Sequence, residues 1–276
     1  MTVLALLTPD GPRITDATQP VLRADDLGVL RGESVFETAR IAAGRPAFLG
    51  AHLQRLTRSA ARLAITLPTG WAELAALAVQ TYGEPDGVLR LVCAKGPADL
   101  GPVGFALVTP IPAETVRGRV EGVRAVTLAL GFTADVRAVS PWLLGGVKST
   151  SYAINMASIR QAHDEGVDDA IWVSSDGQVL EAPTSTVAWV RDGVLVTPPV
   201  ELGILPGTTL DVALGLLDGP YEVRRGTVAE LADADEVMML SSVRGVAPVT
   251  ELDRRPLGTC PVTARLREAF EEELVR

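Results

Sequence analysis

The sequence predicts an α/β protein built from two units. A small α+β unit is expected over residues 1–112 and a larger α/β unit over residues 121–276, with a linker at 113–120. Three observations support this. Apolar residues recur at helical spacing in some segments and alternate in others. Prolines and polar residues interrupt the pattern after residue 109. Of the 276 residues, 47% are hydrophobic, which is enough to bury one large core or two modest ones.

The first unit is expected to combine helices with strands that pair in a sheet. The segment SVFETARI alternates as a strand does, which places Phe36, Thr38 and Arg40 on one face. Ala43-Gly44 then forms a turn. The periodicity further predicts helices over 49–63 and 71–82 and strands over 87–95 and 103–109.

The second unit is expected to alternate strands with helices. Its first half contains a strand over 120–130, a Gly-rich loop over 140–148 and a helix over 150–164. Short strands follow, separated by turns at Asp176-Gly177 and Asp192-Gly193. Its second half contains a helix over 208–217, strands near 235–240 and 244–250, and a last helix over 261–275.

Composition excludes several classes of function. The net charge of −9, without a basic stripe, argues against a nucleic-acid partner. No apolar run approaches the roughly 18 residues needed to cross a membrane, and the N-terminus lacks the features of a signal peptide. Cys93 and Cys260 are far apart, which indicates reduced thiols and a cytoplasmic location. Two histidines and scattered acids predict no metal site.

Lysine usage is the most informative feature of the composition. The chain has only two lysines, Lys95 and Lys148, against twenty-three arginines. Arginine therefore supplies the generic surface charge, and a lysine retained here is a candidate for chemistry that requires a primary amine. Lys148 follows paired glycines in SPWLLGGVK, at the start of a helix. Lys95, in CAKGPAD, has no comparable setting.

Two further segments carry side chains suited to one cofactor. Glu181 ends a short strand in DGQVLEAPTSTVAW, where a carboxylate can keep a pyridine nitrogen protonated. Gly207, Thr208 and Thr209 open an apolar helix, and the N–H groups of a helix N-terminus form a phosphate site. Taken alone, each also fits a solvated strand end or a simple helix cap.

A fourth segment adds hydroxyl groups. In MMLSSVRGVAPV an apolar strand ends at Ser241 and Ser242. Such a pair is by itself more typical of a turn than of a ligand site. The order and spacing of all four segments is more specific than any one of them.

Together these segments resemble class IV aminotransferases of pyridoxal-5′-phosphate (PLP) fold type IV, from about Asp26 to Val249. The resemblance implies a D-amino-acid aminotransferase-like fold, PLP as cofactor, amino acid and 2-oxo acid substrates, and a homodimer with its active site near the subunit interface. It places the Schiff-base lysine at Lys148, the ring-nitrogen carboxylate at Glu181 and a phosphate-binding arginine at Arg55. It assigns the phosphate turn to Gly207, Thr208 and Thr209 and further hydroxyls to Ser241 and Ser242.

The sequence departs from the family pattern at three positions. Thr186 replaces the usual asparagine after the glutamate, and Leu210 replaces an arginine that often follows the phosphate turn. Tyr152 comes four residues after Lys148, whereas in branched-chain members of the family the tyrosine that binds the cofactor's phenolic oxygen comes five residues after the lysine. These departures concern the substrate and leave the covalent chemistry intact.

Three arginines are candidates for the substrate carboxylate. Arg31 precedes a glycine where dimeric relatives send a side chain across the interface, Arg40 shares a strand face with Phe36, and Arg90 lies mid-strand among apolar residues. Each is equally suited to a structural ion pair. Thr184 and Ser185 complete the expected substrate-binding set. We expect the active site in the cleft between the two units.

The substrate remains a choice among members of the family. The segment GPADLGPVG lacks the R-x-H carboxylate trap of the best-known D-amino-acid transaminases, but Arg31 and Arg90 match a variant group. We therefore expect a transaminase acting on a D-amino acid. Aminodeoxychorismate lyase is the alternative, and branched-chain transaminase is third because Arg31 replaces its interface tyrosine. A non-catalytic binding module is disfavoured because Lys148, Glu181 and Arg55 are all present.

Overall fold

The computed structural model describes residues 1–276, which form two compact units. The first unit comprises Met1–Pro112, Val147–Tyr152 and Val275. The second comprises Ala113–Gly146, Ala153–Leu274 and Arg276. No helix is long and apolar enough to span a membrane.

The first unit is an antiparallel sheet with helices packed on one face. Its strands are β1 (Val3–Thr8), β2 (Gly11–Thr15), β3 (Ser34–Ala42), β4 (Arg45–Pro46), β5 (Gly87–Ala94) and β6 (Val103–Thr109). Its helices are α1 (Leu27–Leu30), α2 (Leu49–Arg62) and α3 (Trp71–Tyr82). The strand order is β2-β1-β6-β5-β3-β4. Every pairing along this order is antiparallel.

The side chains of β3 point alternately to the two faces of this sheet, and one of these faces packs into the hydrophobic core. Val35 and Ile41 are fully buried and pack with Leu56 of α2, Leu74 of α3 and Leu89 of β5. Burying each such side chain contributes about 1.5–3 kcal/mol. On the opposite face, Phe36 and Thr38 are only half-buried. The predicted turn at Ala43-Gly44 is confirmed, with φ of 49° and 74° at its two residues.

The second unit is a mixed sheet flanked by helices. Its strands are β7 (Val123–Ala129), β8 (Asp169–Val173), β9 (Thr186–Arg191), β10 (Val194–Thr197), β11 (Tyr221–Val223), β12 (Glu236–Ser241), β13 (Gly245–Leu252) and β14 (Arg255–Pro256). Its helices are α4 (Ala113–Glu121), α5 (Val136–Val139), α6 (Ala153–Asp164), α7 (Thr208–Leu216), α8 (Val228–Ala232) and α9 (Pro261–Val275). The order is β11-β10-β9-β12-β13-β7-β8, with β14 beside β13. The β10–β11, β13–β7 and β7–β8 pairs are parallel.

The structure differs from the sequence-based expectation in several places. Val147–Tyr152, which includes Lys148 and was expected in the larger unit, belongs to the first unit. Strands β1 and β2 were not predicted, because β1 is held by pairing with the distant strand β6. The residues assigned as a linker, 113–120, lie in α4, which Arg119 ties to the backbone carbonyl of Val243. The predicted loop at 140–148 contains a 3₁₀ turn over Pro141–Leu143.

Candidate active site

The backbone around Lys148 is fixed by the first unit. The Phe36 N–H of β3 donates to the Lys148 carbonyl oxygen at 3.1 Å. The Lys148 N–H donates to Ser59 Oγ at 3.1 Å, and Ser59 is a buried residue of α2. A residue at the end of a Gly-rich loop is thereby held against both a strand and a helix.

The Lys148 amine lies on an aromatic surface. Its Nζ is 4.3 Å from the centroid of the Phe36 ring and 3.4 Å from the Tyr152 hydroxyl. The Phe36 and Tyr152 rings pack edge to face with centroids 5.1 Å apart. An aromatic surface excludes part of the water around an amine, which suits a nucleophilic lysine. The four-residue spacing from Lys148 to Tyr152 brings the two side chains into contact.

Arg55 belongs to a buried group with Glu37 and His52. Its Nε and Nη2 donate to the two carboxylate oxygens of Glu37 at 2.7 and 2.8 Å. His52 Nδ1 lies 2.7 Å from Glu37 Oε2, and all three side chains are buried. Glu37 was not predicted as a site residue. Its inward position on β3, facing two polar residues one turn apart on α2, was the available signal.

Opposing effects set the pKa of Glu37. Burial raises the pKa, but hydrogen bonds from Arg55 and His52 and their charges outweigh it and lower the pKa from 4.5 to about 2. Because the folded pKa is depressed, Glu37 stabilises the fold above its unfolded pKa and loses that effect as pH falls toward the folded value. Glu37 therefore stays ionised and fixes the direction of the Arg55 guanidinium.

We expect Glu37→Gln to destabilise the protein in a pH-dependent way. The wild-type advantage in free energy of unfolding should shrink by about 3 kcal/mol between about pH 5 and about pH 2, because the carboxylate takes up a proton in the unfolded state over this range while its depressed pKa keeps it largely ionised in the folded state. Urea titrations at a series of pH values measure this. Glu84→Gln, at an exposed carboxylate of the same unit, is the control and should show no such trend. A pH-independent advantage would contradict the ion pair.

Glu181 is oriented by two partners within the second unit. Arg137 Nη1 donates to Oε1 at 3.1 Å, and the Leu205 N–H donates to Oε2 at 3.0 Å. These two contacts fix the direction of the carboxylate, the group that pairs with a protonated ring nitrogen. Arg137 was missed by sequence reasoning, because it is 44 residues from Glu181 and ADVRAV carries no distinguishing pattern.

The paired glycines before Lys148 serve a close backbone approach, as the sequence indicated. A Cβ on Gly145 would lie 3.0 Å from the Gly203 backbone, and Gly146 has a φ of 74°. Gly203 leads directly into the segment that contains Leu205, the donor to Glu181. Glycine therefore allows the Gly145 and Gly203 backbones to meet.

The start of α7 is shaped for an anion. Gly207 is the N-cap and supplies no side-chain hydrogen bond, so the first N–H groups of this nine-residue helix lack a cap. A Cβ on Gly207 would lie 2.3 Å from Thr186 Oγ1, so a larger residue would displace the Thr186 side chain. Thr208 and Thr209 are buried in the first turn. This arrangement fits a phosphate group.

Hydroxyl groups elsewhere in the second unit are available to a ligand. Ser185 Oγ is buried without a hydrogen-bond partner, which is costly unless a ligand completes it. Ser241 and Ser242, at the end of β12, are half-buried, and Thr184 is exposed. The amine of Lys148, the carboxylate of Glu181 and the open start of α7 each suit one part of PLP. The residues present therefore fit this cofactor.

The three candidate arginines have different surroundings in the first unit. Arg40 is buried, and its Nε donates to Asp86 Oδ1 at 3.1 Å, which favours a structural ion pair. Arg31 is exposed and its side chain has no ion-pair partner. Arg90 is half-buried, and its Nη1 has only a long contact of 3.4 Å to Thr109 Oγ1.

Comparisons with known proteins agree with this geometry. The model of the amino-transferase class IV family matches residues 34–252. A bifunctional aminodeoxychorismate lyase / D-amino acid transaminase from Mycobacterium tuberculosis is 36% identical, covering 98% of this chain and 99% of that protein.

Solved structures are similar over the whole chain. A fold IV-transaminase, CpuTA1, from Curtobacterium pusillum has a TM-score of 0.92 and 37% identity, covering 98% of this chain and 99% of its own. The PLP-bound form of a hypothetical aminotransferase from Mycobacterium tuberculosis has a TM-score of 0.94 and 36% identity, covering 100% and 99%.

The chain belongs to the class IV aminotransferase family. It is a PLP-dependent enzyme of fold type IV, as members of this family use that cofactor. Its substrate is a separate question.

Proposed function

We propose that this enzyme is a transaminase that moves an amino group between a D-amino acid and a 2-oxo acid. The observation that carries the proposal is the position of the Lys148 amine, held against Phe36 and beside the Tyr152 hydroxyl. Only one other lysine exists, and Lys95 is ion-paired with Glu33. The M. tuberculosis relative whose name includes D-amino acid transaminase supports the substrate class.

Lys148 and Glu181 divide the chemical work. Bound PLP withdraws electrons from the substrate α-carbon. Lys148 would hold the cofactor covalently and, once displaced by the substrate amine, would act as a general base that takes the proton from the substrate α-carbon and delivers it to the cofactor C4′. Glu181, held by Arg137 and the Leu205 N–H, keeps the ring nitrogen protonated. Tyr152 supports the Lys148 amine through its hydroxyl.

Other residues hold the cofactor phosphate while Lys148 is displaced. We assign this role to Arg55 and the start of α7, with hydroxyls at the end of β12. Arg55 keeps its direction through the bidentate contact with Glu37. Gly207, Thr208 and Thr209 supply an uncapped helix start. Ser241 and Ser242 contribute hydroxyls.

The substrate carboxylate is assigned to Arg90, with Arg31 as the second cation. Arg90 is half-buried on β5 without a carboxylate partner, and an unpaired guanidinium in such a place is costly unless an anion binds it. Phe36, Thr184 and Ser185 complete the substrate pocket in this proposal. Arg40 is the weaker candidate, because its Nε already donates to Asp86 Oδ1.

Aminodeoxychorismate lyase activity is the second candidate. The name of the 36% identical M. tuberculosis relative includes it, and the same lysine would serve as base while pyruvate leaves. Branched-chain transamination is third, since Arg31 stands where its interface tyrosine is expected.

Single-turnover reactions with three substrates test the proposal. We expect D-alanine to bleach the visible absorbance of the bound cofactor and to release pyruvate in proportion. L-leucine should act far more slowly. Pyruvate and 4-aminobenzoate formed from aminodeoxychorismate, without a response to D-alanine, would replace the proposed function by the lyase.

We also propose a cytoplasmic homodimer. In the second unit Val139, Trp142 and Leu143 expose large apolar side chains within five residues, as an interface does. Both cysteines are free, which suits a reducing compartment. Sedimentation should show a dimer, and Trp142→Asp should weaken it. A fully active monomer would contradict both the dimer and a role for Arg31 across the interface.

A further inference from the structure

The turn over residues 182–185, which follows Glu181, is held at both ends by sheet contacts. At one end, the Trp172 N–H donates to the Glu181 carbonyl oxygen at 2.8 Å. At the other end, Thr186 enters β9, which pairs with β10 and β12. Between them, the Ala182 N–H donates to the Ser185 carbonyl oxygen at 2.9 Å.

One side chain hydrogen bonds to this turn. Asn155 Nδ2, in the first turn of α6, donates to the Pro183 carbonyl oxygen at 2.6 Å. Asn155 is the only asparagine of the chain and lies seven residues after Lys148. Pro183 has no N–H of its own, so the turn relies on this contact and on its internal hydrogen bond.

The turn carries a buried hydroxyl group without a hydrogen-bond partner. Ser185 Oγ is the only buried side-chain polar atom of the second unit that lacks a hydrogen-bond partner. Ser185 itself is 7% exposed. Thr184, directly before it, is exposed. A buried hydroxyl that the protein leaves unpaired costs free energy, which a bound ligand can recover.

We propose that Asn155 is a positioning residue that sets the turn so that the Ser185 hydroxyl donates to an anionic oxygen. Two groups offer such an oxygen, the substrate carboxylate and the cofactor phosphate. Asn155 contacts neither group and acts through the Pro183 carbonyl. The inference rests on the proposed function, because that function brings both anions to the protein.

Asn155→Ala tests the proposal. Alanine favours the helix more than asparagine does, so any loss is not a loss of helix propensity. The variant should raise either the KM for D-alanine or the dissociation constant of PLP by about tenfold, as expected for one lost hydrogen bond. A raised KM identifies the substrate carboxylate as the group that accepts from Ser185. A raised dissociation constant in a PLP titration of the apoprotein identifies the cofactor phosphate instead. The kcat at saturating substrate and PLP should stay within about threefold.

Ser158→Ala is the matched control. Ser158 lies one turn further along α6 and accepts from Trp172 Nε1 at 2.9 Å, without contacting the 182–185 turn. It should leave both constants unchanged. Ser185→Ala should reproduce the Asn155→Ala effect, and the double variant should add little, because both act on one contact.

Two results would overturn the inference. In the first, both constants stay unchanged in Asn155→Ala. In the second, both worsen together with a lower melting temperature of the apoprotein, which indicates a purely structural residue. Trapping of PLP on Lys148 does not depend on Asn155. If borohydride fails to trap PLP on Lys148 in the wild-type protein, that result contradicts the proposed function and leaves the inference about Asn155 a separate matter.

Discussion

Lys148→Ala should abolish multiple-turnover transamination, lowering kcat by about 10³-fold or more. The loss follows from two roles of one amine, covalent attachment of the cofactor and movement of the α-proton. Neither the other lysine nor any arginine can replace it, since Lys95 is paired with Glu33 and arginine is not a nucleophile at neutral pH. Steady-state rates with D-alanine and a 2-oxo acid measure the effect.

Cofactor retention distinguishes this loss from unfolding. The Lys148→Ala protein should still bind PLP through Arg55 and the start of α7, although the cofactor should no longer become fixed by borohydride. Lys95→Ala is the matched control and should keep both turnover and borohydride labelling. Near-normal turnover in Lys148→Ala would refute the proposed mechanism. The only lysine left in that variant is Lys95, to which the mechanism gives no role.

Arg90→Leu should raise the KM for the amino acid by about 30-fold or more, the equivalent of about 2–4 kcal/mol for a lost charge-assisted contact. Arg90 lies opposite Thr38 on β3 and Leu107 on β6, on the less enclosed face of the first sheet. Leucine was chosen as the replacement because position 90 has both polar and apolar neighbours, so an apolar side chain can pack there. The dissociation constant of PLP should change little, because the cofactor phosphate is assigned to other residues.

Arg13→Leu is the control for Arg90. The register Arg13–Leu6–Phe105–Val92 places Arg13 on the same face as Arg90, three strands away at the edge, where it is exposed. It should leave KM unchanged. If Arg90→Leu instead lowers the melting temperature without changing KM, Arg90 is a structural residue and Arg31 becomes the main candidate.

The parts of the fold that follow local pattern were predictable from the sequence. Helices α2, α3, α7 and α9 lie within about two residues of their predicted ranges, because apolar periodicity and flanking glycines or prolines mark them. The helix α4 was assigned as a linker. Its polar sequence with Gly118 has little helical pattern, and Arg119 anchors it through the distant carbonyl of Val243.

The same distinction applies to the candidate site. Lys148 was marked by the scarcity of lysine and the start of α7 by its glycine and threonines. Glu181 was expected at the end of a strand, but it lies between β8 and β9 and belongs to neither. The partners of these residues had no such local signal. Arg137 and Asn155 reach carboxylate and carbonyl groups 44 and 28 residues away, and these contacts exist only once the second unit has folded. The ion pair of Arg40 with Asp86, 46 residues away, was likewise hidden.

Borohydride reduction of the purified holoenzyme, followed by peptide mapping, tests the central claim most directly. Lys148 should carry the reduced pyridoxyl phosphate group, and the visible absorbance of the cofactor should disappear in step with labelling. Prior addition of excess D-alanine should protect Lys148 from labelling, because the substrate amine displaces it. Label on Lys95, or on no lysine, would contradict the account.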